Sequence, residues 1–239
     1  MEKPIILAIQ NDETDPPHLA KIWLEEIGFS FQTLQPFTGE SVPRVVPQKV
    51  SALMPLGGHM GALDDHIAPW LPDERALLAD AVKLDIPIFA ICLGTQLLAA
   101  ANGGVVSRLE KNEVGVYSIS PTEAAKDDPV FDIPTGTITT QWHEDYVSTL
   151  PSGAVRLATS ELCPNQIYRI GGRTYGVQFH PEADTELTSW WEEHADNAFQ
   201  NSGKSLVGKE FEDAEEVLKE TWKPILQRWG RLVLADLIR

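Results

Sequence analysis

The sequence predicts an α/β fold: an open, mostly parallel sheet with helices on both faces, continued by a C-terminal helical extension. Three observations carry this. The first hundred residues alternate short apolar runs with amphipathic stretches at helical spacing, the pattern of parallel strands joined by crossover helices. The apolar runs are continuous, as expected of strands buried on both faces. From about residue 183 onward the texture turns helical.

The elements follow in order. "KPIILAIQN" reads as the first buried strand. "HLAKIWLEEIG", residues 18 to 28, sets Leu19, Ile22, Trp23 and Ile27 at helical spacing and stops at Gly28. "FSFQTLQ" and "KVSALMPL" are the next two strands, the latter ending at Gly57-Gly58. A helix is expected over 73–85, started by Pro72-Asp73. "IPIFAI" gives a fourth strand and Leu93 to Ala101 a helix ended by Asn102-Gly103-Gly104. Residues 104 to 180 are β-rich, with "EVGVYSISP", "TGTITTQWHEDYVS" and "RTYGVQFHP" separated by Gly and Pro. Near the end, "EEVLKETWKPILQRWGRLVLADLI" is helical, and Pro224 with Gly230 predicts a kink or two pieces. No repeat or linker divides the chain.

The totals narrow the function. The 239 residues are 43% apolar and 23% charged, an ordinary globular composition with enough apolar material for a core. A formal charge of −16 repels phosphate backbones and anionic membranes, which disfavours nucleic-acid and membrane partners. Two cysteines make neither a disulfide framework nor a zinc pattern. The start, "MEKPIILAIQNDETD", lacks the basic segment and long apolar core of a signal peptide, so a cytoplasmic protein is expected.

One cysteine stands where chemistry is done. Cys92 falls at the join of "PIFAI" and the following helix, within Ala90-Ile91-Cys92-Leu93-Gly94. A strand that turns abruptly into a helix presents its corner side chain at the open end of the sheet and needs small neighbours. This is the logic of the nucleophile elbow G-x-[nucleophile]-x-G, here with Ala90 for the first glycine. Helix amides following Cys92 favour a thiolate and, Leu93 first, can donate to an oxyanion. The plain alternative is a buried structural cysteine. Gly57-Gly58, directly after the third strand, lets backbone amides face the crevice, so the Gly58 amide is a second candidate donor. In "GVQFHPEAD", Pro181 keeps His180 extended. Residues two apart in extended chain share a face with Cα atoms roughly 6.7 Å apart. Glu182 can therefore reach the His180 ring, fix its tautomer and leave the other nitrogen for a thiol.

With "LMPLGGHMGALDD", "PIFAICLGTQLLAAANGGVV", "NEVGV", "QWHEDYV" and "GVQFHPE" in that order, the chain resembles the class I (triad) glutamine amidotransferases. The nearest branch resembles the amidotransferase part of GMP synthase. The resemblance covers most of residues 50 to 182 and implies a flavodoxin-like fold. It implies an amidotransferase domain over 1–182, with 183–239 a helical extension packed on it. By it Cys92 is the nucleophile, His180 the acid/base and Glu182 its orienter, with Gly58 and Leu93 as oxyanion donors. Gly57 and Gln96 would contact the substrate. His143 and Asp145 match an "HGD" segment near the substrate's α-amino group, although Glu144 replaces the glycine. No cofactor or metal is implied.

The expected activity is hydrolysis of the glutamine γ-amide through a cysteine thioester, giving glutamate and ammonia, the latter for a separate synthetase. No Gly-rich phosphate cradle is present for an ATP-dependent acceptor reaction. Two alternatives remain open: a self-sufficient hydrolase of γ-glutamyl peptides or conjugates, and a non-enzymatic binding module on the same scaffold. Cys163 reads as incidental. His18, His59, His66 and His194 show no ligand spacing, and His59 with Asp64-Asp65 reads as a solvated loop beside the glycines.

Overall fold

Four short apolar segments become neighbouring parallel strands, as the sequence predicts. A computed structural model of the protein describes residues 3–194, 201–204 and 206–237. In chain order the elements are β1 (Ile5–Ile9), α1 (His18–Glu25), β2 (Ser30–Leu34), β3 (Val50–Pro55), α2 (Leu71–Lys83), β4 (Ile88–Ile91) and α3 (Leu93–Ala101). Then come β5 (Val105–Pro121), β6 (Thr137–Thr149), β7 (Val155–Thr159), β8 (Ile167–Ile170), β9 (Thr174–Val177), α4 (Thr185–Glu193) and α5 (Gly208–Asp236). Among the described residues they make one nine-stranded sheet in the order β2-β1-β3-β4-β9-β8-β7-β5-β6. The strands from β2 to β9 in that order run parallel. The pairs from β9 outward to β6 are antiparallel.

Side-chain alternation splits the parallel strands between two cores. Ile6 and Ala8 of β1, with Phe89 and Ile91 of β4, face the layer that holds α1 and α5. Leu7 and Ile9, with Ile88 and Ala90, face α2 and α3. Helices on both faces explain why these strands lack a polar side.

The main departures from expectation are tertiary in origin. Helix α2 begins at Leu71, with Pro72 inside its first turn where a missing N–H costs nothing. Helix α5 starts at Gly208, earlier than the apolar spacing suggests, and is one uninterrupted element with Pro224 inside it. Proline forfeits one backbone hydrogen bond there. Trp222, Ile225, Leu226 and Trp229 all bury in the α1 face of the core, and this packing holds the helix together across the proline. Gly230 is required by close approach. A Cβ at that position would lie 2.6 Å from Ile27 Cδ1 and 2.7 Å from Leu24 Cδ2. Strands β7 and β8 carry no separate signal in the sequence, since both are short and interrupted by arginine.

Two consequences are measurable. Trp222 packs at a tilt on Phe179, with ring centroids 4.5 Å apart, and donates its indole N–H to the Ile138 carbonyl at 3.1 Å. Trp222→Ala should cost about 3–5 kcal/mol of stability, read as a lower urea midpoint. Helix α2 also buries Glu74 completely, and burial pushes its carboxyl up to about 8 from 4.5. A raised acid makes the folded state bind the extra proton, so its contribution is full below pH 4.5 and is lost as pH rises toward 8. Denaturant titrations across that window should show stability falling with pH, and Glu74→Gln should flatten the fall.

Candidate active site

β4 ends at Ile91 and α3 begins at Leu93, which leaves Cys92 alone at the corner with φ 50° and ψ −111°. A non-glycine residue held there costs about 1–3 kcal/mol and persists only when its surroundings over-determine it. They do. The Cys92 N–H donates to the Val177 carbonyl at 2.9 Å, and the Cys92 carbonyl accepts from Thr95 at 3.0 Å and Gln96 at 3.2 Å. The Gly94 N–H donates to the Leu56 carbonyl at 3.0 Å. Gly94 must lack a side chain, because a Cβ would stand 2.2 Å from the Pro55 carbonyl oxygen. At the other flank Ala90 pairs in register with Gly176 and is fully buried, so a methyl group is accommodated there.

His180 reaches this corner from the end of β9. Its N–H donates to the Thr140 carbonyl at 2.8 Å, and its Nδ1 meets Glu182 Oε1 at 2.8 Å, both side chains being buried. The Cys92 thiol faces the Trp142 carbonyl at 3.9 Å and lines the same cavity as the His180 ring, whose Nε2 Glu182 leaves unengaged. Burial alone would pull the imidazole down, but the facing charges of Cys92 and Glu182 hold it well above the ordinary histidine range. Burial pushes the Cys92 thiol up while the imidazolium opposes that. Thiol and imidazole therefore titrate as a pair. The Gln178 side-chain amide donates to Cys92 Sγ at 3.9 Å.

Cys92 and His180 open onto a cavity of about 180 Å³. Gly58 and His59 border it on one side, Trp142 and Trp191 on another, with His194 also lining it. Asp12, Thr14 and Asp15, from the loop between β1 and α1, make a third wall. Burial opposes charge on Asp12, yet hydrogen bonds from His59 and Thr14 hold its carboxyl down at about 2. Burial pushes Asp15 up to about 7 against the pull of His180. The Trp191 indole donates to the Thr14 carbonyl at 2.8 Å, tying two walls together.

Cys92, His180, Glu182, Gly57, Gly58 and Leu93 are brought together. A Cβ on Gly57 would lie 2.3 Å from Asp15 Oδ1 and 3.0 Å from His180 Cε1. Leu93 opens α3, and among the described residues its N–H has no backbone acceptor. Gln96 lies in the first turn of α3, where its Nε2 donates to the Asp145 carbonyl at 3.0 Å and meets Gln178 Oε1 at 3.5 Å. His143 and Asp145 stand apart from the cavity lining. His143 places Nε2 3.0 Å from Glu113 Oε2 and Nδ1 2.9 Å from the Asp145 carbonyl. The Asp145 carboxylate takes Arg108 at 2.6 Å, and Glu144 joins the same guanidinium at 2.9 Å.

Sequence reasoning misses Asp12, Thr14, Asp15, Trp142, Trp191 and Gln178 and gives His194 no role, and it reads His59 as part of a solvated loop rather than the pocket wall that the structure makes of it. One signal is available: "NDETD" follows a strand's carboxyl end, where ligands bind in such sheets. Asp64 caps Gly61 N–H at 2.8 Å and Asp65 pairs with Arg75, so neither lines the cavity. Cys163 is buried at a turn, where burial raises its thiol. Among the described residues no group of three or more His, Cys, Asp or Glu is placed to hold a metal ion.

Comparison with known proteins gives the family and the fold likeness of the chain. Residues 65–190 match the family described as glutamine amidotransferase class-I. YfeJ of Salmonella typhimurium, named as glutamine amidotransferase-like, is 30% identical over 77% of this chain and 79% of its own length. One subunit of the glutamine-hydrolysing GMP synthase of Archaeoglobus fulgidus is 40% identical over 42% of this chain and 54% of its own length. The chain thus spans only about half the length of that second relative. Among solved structures, a glutamine amidotransferase from Thermotoga maritima superposes with a TM-score of 0.83 at 29% identity, over 96% of this chain and 99% of the other.

The elbow geometry predicts a sharp response to one methyl group. Gly94→Ala must move either the Pro55 carbonyl or the corner itself. It should cost at least about 1–3 kcal/mol and slow alkylation of Cys92 by iodoacetamide, measured by thermal unfolding and by mass spectrometry.

Proposed function

The chain belongs to the class-I glutamine amidotransferase family, and from that premise we propose that it hydrolyses the γ-amide of glutamine through a thioester on Cys92. The observation that carries this reading is the buried Glu182–His180 pair lining one cavity with the thiol at the strained corner. Hydrolysis of the glutamine amide is general to the family; the roles given to individual residues are our own reading.

His180 takes the Cys92 proton through Nε2, and the thiolate attacks the γ-carboxamide carbon. The carbonyl oxygen gains negative charge and is received by the N–H groups of Gly58 and Leu93, each worth roughly 3 kcal/mol in the transition state. The imidazolium, steadied by Glu182, returns its proton to the leaving nitrogen. The C–N bond breaks, ammonia departs and a γ-glutamyl thioester remains. Water then enters, gives a proton to His180 and adds to the thioester carbon. Collapse expels the sulfur, which recovers the proton, and glutamate leaves. Gly57 and Gln96 shape the substrate's seat, and His143 and Asp145 act behind it through the carbonyl that Gln96 contacts.

We assign residues 1–182 to the amidotransferase domain and 183–239 to a helical extension that shares its core. We place the activity in the cytoplasm, where free thiols such as those of Cys92 and Cys163 persist. No helix among the described residues is long and apolar enough to cross a membrane. Ammonia passes to a separate synthetase; the subunit organisation named for the Archaeoglobus relative supports this reading. A second reading, a hydrolase of γ-glutamyl peptides or conjugates, is favoured by one feature. The wall formed by Trp142 and Trp191, with ring centroids 5.5 Å apart, offers an apolar face that departing ammonia does not use.

The test compares glutamine with γ-glutamyl peptides as substrates of the purified chain. Glutamine should give the highest kcat/KM. A peptide exceeding it selects the second reading, and no turnover of either class removes both. Cys92→Ala should abolish glutamate release, and Glu182→Gln should lower kcat by roughly 10²- to 10⁴-fold with the fold intact by circular dichroism.

A further inference from the structure

The loop between β1 and α1 takes no part in the proton transfers of that reaction, yet three of its residues lie against the glycine loop that follows β3. Asn11 Nδ2 donates to the Leu56 carbonyl at 3.4 Å. Asp12 bonds His59, the residue after Gly58. Asp15 covers Gly57, where an added Cβ would meet its carboxylate. Gly58 is held from the same side, with a Cβ there falling 3.2 Å from Asn11 Cβ.

Asn11 is itself oriented. Trp70 Nε1 is 2.8 Å from Asn11 Oδ1, and an indole N–H can only donate, so the amide oxygen must face it. The amide nitrogen is thereby turned toward the Leu56 carbonyl and toward Glu74 Oε1 at 3.4 Å. Asn11 and Glu74 are both fully buried. The Leu56 carbonyl accepts from Asn11 on one side and from the Gly94 N–H of the elbow on the other. Its peptide plane is fixed from two directions, and that plane launches the chain into Gly57 and Gly58.

We infer that Asn11 is a positioning residue that aims the Gly58 amide at the developing oxyanion by holding the Leu56 carbonyl, with Trp70 and Glu74 orienting it. This rests on the reading of Gly58 as an oxyanion donor. The consequence is selective. Acyl transfer passes through an oxyanion and needs the aim of that amide. Displacement of iodide from iodoacetamide by the same thiolate forms no oxyanion and needs only Cys92 and His180.

The experiment measures kcat for glutamine and the rate of Cys92 alkylation by iodoacetamide in the full chain, in Asn11→Ala and in Trp70→Phe. Trp70→Phe frees the amide without removing it, and so tests the idea even if Asn11→Ala folds poorly. Asn11→Ala should lower kcat by roughly 10- to 100-fold while alkylation is unchanged, and Trp70→Phe should shift kcat the same way by less. If both variants keep the parental kcat, or if kcat and alkylation fall together in both, the inference is overturned. If the parent hydrolyses no γ-glutamyl amide, the proposed function fails and this inference falls with it. A parent that turns over beside variants indistinguishable from it removes the inference alone.

Discussion

The positive φ of Cys92 is the constraint on which the rest of the site is arranged. It turns the chain from strand to helix in one residue and sets the thiol at the carboxyl rim of the parallel sheet. Such a corner is unfavourable in isolation and survives because its neighbours leave no alternative. Val177 takes its N–H, Leu56 takes the N–H of Gly94, and Gly94 sits too close to Pro55 for any side chain. The strands that hold the corner deliver the other reacting groups. β9 runs on into His180 and Glu182, and β3 runs on into Gly57 and Gly58.

Burial then sets the electrostatics. A carboxylate, an imidazole and a thiol, all shielded from water, interact far more strongly than they would on a surface. Glu182 holds the His180 ring at Nδ1, and the charges of Glu182 and Cys92 favour its protonated form, so a proton taken from the sulfur rests on the ring until the leaving group receives it. The same burial raises Asp15 beside them and Glu74 behind the glycine loop. Buried carboxyls raised in this way lower stability as pH rises through their range.

Much of this is legible in the sequence because it is local. The parallel strands read as apolar runs, the elbow as five consecutive residues, and the His180–Glu182 pair as an extended i, i+2 spacing fixed by Pro181. What cannot be read is what the fold joins from afar. Trp191 meets Thr14 across 177 positions, and the antiparallel order β9-β8-β7-β5-β6 follows from no periodicity. His143 and Asp145 show the limit of a short motif. Their residue types suggest substrate contact, while their side chains engage Glu113 and Arg108 away from the cavity. Pro224 shows the converse: a residue that ordinarily breaks helices is overridden by the apolar face packed around it.

The sharpest check on the thioester is intact-mass and peptide mapping of the enzyme acid-quenched during glutamine turnover. A γ-glutamyl adduct is expected on the peptide that contains Cys92, absent in Cys92→Ala. Steady turnover with no adduct at residue 92, or an adduct on Cys163 instead, would refute the mechanism.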